Sequence, residues 1–228
     1  MPPEEIISAA MHGNSQAIAY TYSEPLVHAE YLLDCMALAR RHGIANVLVT
    51  NGCVNAAPAG EILSLADAAN IDLKCFSGET YRKTLGGDLD TVLAFIRLAM
   101  QKNVHVEITT LIVPGLNDNE DELENCINFI DKNIPWHLSA YHPEYRWNAP
   151  PTDPRFLVHI REIAAKKIDN VYTGNVRGEE NDTFCGNCKS LLVRRRGYQV
   201  TLPGLAEPAC GEKHYRCKQC RKETSIVF

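Results

Sequence analysis

Two Cys-x2-Cys pairs stand near the end of this 228-residue chain, Cys185 with Cys188 and Cys217 with Cys220, separated by 28 residues. Each pair is a knuckle that can offer two thiolates to one ion, and two knuckles together supply the four sulfur ligands of a tetrahedral site. Zinc suits that donor set, with rubredoxin-like iron or reduced free thiols as the alternatives. Cys210 could take the place of one ligand. No basic flank followed by an apolar stretch opens the chain, so nothing reads as a secretory signal, and crowded cysteines then favour metal thiolates over disulfides.

A second set of reactive types lies upstream. Glu24 follows a β-prone run and precedes Pro25, which suits the first turn of a helix; its carboxylate could receive an ammonium group or simply complement the helix dipole. Asp72 and Lys74 share one side of a strand by the period of two and could grip a zwitterion or pair with each other. Desolvated at a strand end, Lys74 could also form a Schiff base, as in an aldolase. Asn51 can hydrogen-bond a ligand, although Asn51-Gly52 is also a turn dipeptide. His105, Glu107 and Thr109 share one side of another strand and His137 sits on the next, which makes them candidates for the polar floor of a pocket. Cys35 and Cys126 fall within helix patterns and read as small buried residues, whereas Cys53 and Cys75 follow strand ends.

These residues need a scaffold that brings strand ends together, and the first 175 residues have its pattern. Short β-branched runs at 17–20, 46–50, 71–73, 104–113, 136–140 and 170–173 alternate with amphipathic stretches at 3–12, 26–41, 58–68, 88–102, 119–131 and 155–167. Such alternation is the signature of βαβ units around a parallel sheet, and it predicts an α/β fold of the partial (β/α)-barrel kind. Asn119 or Asp118 can cap the fifth helix, and the proline-rich stretch 141–154 reads as a long ordered loop. Glu24, Asn51, Asp72 and Lys74 all follow strands, so they should converge on the face formed by the C-terminal strand ends.

Charge divides the chain. Residues 185–228 carry nine Lys or Arg against three Glu, a balance of +6, which leaves −11 for the rest of a chain whose net charge is −5. The expected organisation is a barrel over residues 1–180 and a small zinc-ribbon-like module over 181–228. No run of about 18 apolar residues occurs, so a membrane span is not expected and a cytoplasmic setting is. The basic module raises the alternative of a zinc ribbon that binds nucleic acid or a protein partner. Its few aromatic residues offer little for base stacking, so nucleic acid is not the expected partner.

Read as ordered motifs, the runs Ile18-Ala19-Tyr20-Thr21-Tyr22-Ser23-Glu24-Pro25, Val49-Thr50-Asn51-Gly52, Ile71-Asp72-Leu73-Lys74, Glu107-Ile108-Thr109-Thr110 with Pro114-Gly115-Leu116-Asn117-Asp118, and Pro135-Trp136-His137-Leu138 resemble one family. It is the radical SAM enzymes related to pyruvate formate-lyase activating enzyme, specifically the AmmeMemoRadiSam-system branch. The resemblance spans nearly the whole chain. It implies a partial (β/α)6 barrel, a 4Fe–4S cluster, and reductive cleavage of S-adenosylmethionine to a 5'-deoxyadenosyl radical. By motif, Glu24 would meet the methionyl amino group, Asn51, Asp72 and Lys74 would hold the rest of S-adenosylmethionine, and Thr109 and His137 would line the adenosine or substrate side. The substrate would be unidentified and could be a protein, and Memo-type and AMMECR-type proteins would be partners. The family's CxxxCxxC cluster loop, which precedes the Glu24 segment, does not occur in these residues. The expectation is a chain truncated ahead of that segment, lacking the first barrel strand and inactive alone, with a degenerate barrel remnant as the alternative.

Overall fold

The structure is a computed structural model and describes residues 1–176, 181–197, 199–208 and 214–227. Six parallel strands form one sheet in sequence order: β1 (Ala17–Tyr20), β2 (Ala45–Thr50), β3 (Ala68–Asp72), β4 (His105–Ile112), β5 (Trp136–Ala140) and β6 (Val171–Gly174). α1 (Pro3–His12) precedes them. The crossovers are α2 (Ala29–Arg41), α3 (Ala56–Leu65), a helical turn α4 (Gly78–Thr80), α5 (Leu89–Gln101), α6 (Glu120–Phe129) and α7 (Pro154–Ala164). This is the expected α/β partial barrel: all six expected strands and all six expected helices are present.

Strand alternation sorts the two faces. Leu48, Ile71, Ile108, Trp136 and Leu138 are fully buried and pack with Met36, Ile62, Phe95 and Leu157 from the helices. At roughly 1.5–3 kcal/mol for each fully buried large side chain, this layer drives closure of the helices onto the sheet. The opposite face carries Ala19, Val47 and Val49 on β1 and β2, then Asn70, Asp72, Glu107, Thr109, His137 and Tyr172 on β3 to β6. Register places Asn70 beside Glu107, Asp72 beside Thr109, Thr109 beside His137 and His137 beside Tyr172. The inner face is thus apolar on one flank and polar on the other.

Helix ends follow the local chemistry. Asn119 caps α6 by accepting from the Glu122 amide, while Asp118 instead receives the Gly115 amide. Asp88 caps α5 and Asp153 caps α7. The turn of α4 continues as a single π-type turn over Tyr81–Leu85, an element that sequence periodicity did not predict because it is too short to show one.

Among the described residues beyond β6 the chain forms two three-stranded antiparallel sheets. One holds β7 (Thr183–Phe184), β8 (Leu191–Arg196) and β9 (Gln199–Thr201); the other holds β10 (Leu205–Ala206), β11 (His214–Cys217) and β12 (Glu223–Val227). They share a separate small core of Cys185, Leu192, Val193, Leu205 and Cys217. No helix among the described residues is long and apolar enough to cross a membrane.

Candidate functional site

The mouth of the barrel is built from strand ends. Leaving β1, the chain reaches Glu24, the N-cap of a 3-10 turn over Pro25–His28. Glu24 Oε1 accepts from the Leu26 amide at 3.1 Å and the Thr50 hydroxyl at 2.6 Å, and Oε2 accepts from the Asn51 amide at 2.7 Å. A carboxylate offers about four acceptor positions, so these bonds orient Glu24 and leave room for one more donor. The helix-start placement of Glu24 holds, but its main visible partners come from β2.

Asn51 Oδ1 accepts from the Cys53 amide at 2.8 Å, closing the turn that Asn51-Gly52 announced and leaving the side-chain NH2 as a donor. Gly52 has φ +66°, and a Cβ there would lie 3.1 Å from Phe95 and 3.2 Å from Ile71. Only glycine lets the backbone turn this tightly over the core.

Asp72 and Lys74 meet: Nζ lies 2.6 Å from Oδ2, with the side chains 28% and 38% exposed. The loop beneath them is held from several directions. The Lys74 amide donates to the Tyr81 hydroxyl, the Asn117 side chain donates to the Lys74 and Leu111 carbonyls, and Glu122 accepts from the Phe76 amide. The buried Asn117 therefore ties the exit of β3 to that of β4.

Deeper on the inner face, Glu107 bridges two imidazoles. His137 Nε2 lies 2.7 Å from its Oε2 and His105 Nε2 lies 3.4 Å from its Oε1. Burial pushes the Glu107 carboxyl up, but the hydrogen bonds and charges of His105 and His137 outweigh this and bring it down to about 2. An ionised carboxylate only accepts, so both Nε2 atoms carry hydrogen, and Nδ1 of His137 is left as the acceptor when the ring is neutral. Thr109 does not join this group; its hydroxyl donates to Asn70 Oδ1 at 2.9 Å. The Tyr172 ring lies 5.3 Å from that of His137. Shared strand sides make His105, Glu107 and Thr109 candidates from sequence, whereas Thr50 and Tyr172 escaped it, since their roles depend on neighbouring strands.

The second candidate site is the thiol cluster. Sγ atoms of Cys185, Cys188, Cys217 and Cys220 all lie within 4.8 Å of one another, with Cys185–Cys220 and Cys188–Cys217 at 3.7 Å. A single zinc with arms of about 2.3 Å requires tetrahedron edges of about 3.8 Å, so the cluster has the spacing of one ion. Ser190, unremarked in the sequence, lies 3.1 Å from Cys188 Sγ and 3.2 Å from Cys217 Sγ. The Ser190 hydroxyl and the Cys220 and Gln219 amides bring the Cys217 thiol down to about 6, while burial pushes Cys185 up to about 11. Cys210 lies outside the described residues. Cys35, Cys75 and Cys126 are buried and Cys53 is exposed.

Comparison with known proteins fits this geometry. Residues 1–130 match the model of the Radical SAM superfamily. Over its full length the chain is 36% identical to the Methanocaldococcus jannaschii uncharacterized protein MJ0808, covering 68% of that protein. It is 28% identical over 121 residues to the pyruvate formate-lyase 1-activating enzyme of Escherichia coli (strain K12), across 52% of this chain and 49% of that one. The chain thus spans about half the length of that relative. A domain of pyruvate-formate lyase-activating enzyme from Bacteroides vulgatus superposes at a TM-score of 0.59 and 17% identity, over 71% of this chain and 100% of that one. Streptococcus suis SuiB bound to S-adenosylmethionine gives a TM-score of 0.59 at 11% identity, over 76% and 43%. At these identities the two structures speak for the fold.

Proposed function

The chain belongs to the radical SAM superfamily, and from that premise we propose that its barrel mouth binds S-adenosylmethionine for the reductive cleavage chemistry of that superfamily, in the manner of the glycyl-radical activating enzymes. The observation that carries the reading is the convergence of Glu24, Asn51, Asp72 and Lys74 at the C-terminal ends of three adjacent parallel strands. A methionyl group is a zwitterion and needs both signs of charge. Lys74 is the base for its carboxylate, Glu24 the acid for its ammonium, and Asn51 a donor beside them. Asp72, beside Thr109 in register, would order Lys74 and receive a ribose hydroxyl, and Thr109 and His137 would face the adenosine or substrate side. The small side chains of Ala19, Val47 and Val49 leave the other flank apolar.

When bound, a 4Fe–4S cluster supplies the electron for this chemistry, but the residues present here do not fit one. No CxxxCxxC run occurs in the 228 residues. Among the described residues, the four-cysteine set is the group of metal-ligating side chains brought together, and its spacing suits a single ion. No step is therefore routed through the cluster. The four thiolates bind one zinc ion in this proposal, and residues 181–228 form the module it holds. We place the chain in the AmmeMemoRadiSam-system branch, with Memo-type and AMMECR-type proteins as partners and a substrate that could be a protein.

Titration calorimetry with S-adenosylmethionine tests the reading. Saturable binding that weakens at least about tenfold in Lys74→Ala, roughly one lost charge-assisted contact, supports it. No binding by the folded chain, or equal binding by Lys74→Ala, overturns it.

A further inference from the structure

The β7–β8 hairpin joins the thiol cluster to the barrel interior. At one end it carries the Cys185–Cys188 knuckle, closed by the Cys185 amide on the Ser190 carbonyl at 2.8 Å and the Lys189 amide on the Cys185 carbonyl at 2.9 Å. At its other end Thr183 pairs with Val193 across the ladder, and the Arg195 amide donates to Asp182 Oδ1 at 2.8 Å. That end docks on β6. The Arg195 guanidinium donates to the Thr183 hydroxyl at 2.7 Å and the Asn181 carbonyl at 2.8 Å, and its carbon lies 5.2 Å from the centre of the Tyr172 ring. Thr183 Oγ1 is 2.7 Å from the Tyr172 hydroxyl.

Tyr172 is in turn the neighbour of His137. Their rings are 5.3 Å apart at 33°, on adjacent paired residues of β5 and β6, and the far side of His137 is held by Glu107 at 2.7 Å. His137 is therefore gripped between a carboxylate and an aromatic ring whose own position is set by the hairpin. The hairpin has little core with which to hold itself: among the described residues, two of the five buried in the module's core are Cys185 and Cys217. A metal ion at those thiolates would supply much of what keeps the strands in register.

We propose that Arg195 is a positioning residue for His137, acting through Tyr172, and that the β7–β8 hairpin makes the orientation of the His137 ring depend on metal occupancy at the four-cysteine site. The metal half of this inference rests on the zinc binding proposed above; the Arg195 half does not. In the metal-loaded chain the cation face of Arg195 and the Thr183 hydroxyl pin Tyr172, and His137 keeps its Nε2–H on Glu107. With the metal removed, the knuckle loosens, Thr183 and Arg195 lose their shared geometry, and His137 samples more than one ring orientation.

Nitrogen-15 spectra of the histidine rings of the full chain test this, with His137→Gln giving the assignment. In the zinc-loaded protein, once the ring is neutral, His137 is expected to show two well-separated ring-nitrogen signals, with hydrogen on Nε2 toward Glu107 and none on Nδ1. Both chelation and Arg195→Met should collapse that separation while the signals of the exposed His12, His28 and His159 stay in place. Arg195→Lys keeps the charge but not the planar face and should restore it only in part. An unchanged His137 signal in metal-loaded Arg195→Met overturns the positioning role. An unchanged signal after chelation, with zinc loss verified by mass spectrometry, overturns the metal coupling, as does a chain that binds no zinc. If Arg195→Met disturbs every histidine and so unfolds, Thr183→Val removes only the hydroxyl between Arg195 and Tyr172, and a retained His137 signal there overturns the proposal.

Discussion

The Thr50 hydroxyl donates to Glu24 Oε1 across 2.6 Å, joining the end of β2 to the loop that leaves β1. Thr50 is buried and Glu24 partly exposed, so the bond is half-shielded from water, and Glu24 is at once a cap, a strand-end clamp and a candidate ligand for an ammonium.

Substitution at Glu24 should therefore cost stability as well as binding. Glu24→Ala strands the Thr50 hydroxyl and the Leu26 and Asn51 amides, an expected loss of about 2–4 kcal/mol in urea unfolding. Thr50→Val removes one hydroxyl with little change of shape and should cost about 1 kcal/mol while S-adenosylmethionine binding persists. Equal unfolding midpoints for Glu24→Ala and the parent chain would contradict the clamp.

Lys74 and Asp72 should separate the two effects. Their ion pair is partly exposed, so Lys74→Ala and Asp72→Asn should change stability by less than about 1 kcal/mol. The same variants should lose S-adenosylmethionine affinity in calorimetry. A Lys74→Ala chain that melts far below the parent would show that the pair serves the fold instead.

Acid should unlock the Glu107 bridge. The folded carboxyl lies at about 2 against an ordinary 4.5, so the folded state favours the ionised form. The stabilisation is complete above about pH 4.5 and is lost as pH falls through the folded value toward about 2. The side chain is 36% exposed, which reduces the contribution from the full linkage value to about 1–2 kcal/mol. Glu107→Gln should flatten the fall in unfolding free energy between pH 4.5 and 2; an identical slope in the variant would count against the bridge.

Metal removal should act on the module first. Its core is small and is partly made of the ligands themselves, so chelation should expose the β7–β9 strands to trypsin at Arg194, Arg195 and Arg196 while the barrel core stays protected. Cleavage sites mapped by mass spectrometry check this. Equal resistance with and without metal would mean that the sheets hold themselves.

Thiol labelling should follow burial. In the folded, metal-loaded chain Cys53 should react with iodoacetamide well before Cys35, Cys75 and Cys126, which are buried. Burial also pushes the Cys75 thiol up to about 11, leaving little thiolate there at neutral pH. Early modification of Cys126 would contradict the packing of α6 against the sheet.

Much of this molecule was legible in order along the chain because its signals are local. A period of two exposed His105, Glu107 and Thr109 as one strand side, Asn119 or Asp118 marked a helix start, and two CxxC spacings announced four thiolates before any fold was known. Strand ends in a parallel α/β pattern must share a face, so the gathering of Glu24, Asn51, Asp72 and Lys74 was also readable. The choice between alternatives was made by the tertiary structure. It closed Asp72 onto Lys74, gave Glu24 to Thr50, made Glu107 the bridge between His105 and His137, and laid Arg195 over Tyr172. Apart from the Asp72–Lys74 pair and the His105 half of the bridge, these contacts join residues more than 20 positions apart. Local periodicity carries no information about which side chain will arrive from the next strand, and only closing the sheet and docking the hairpin put those partners in contact.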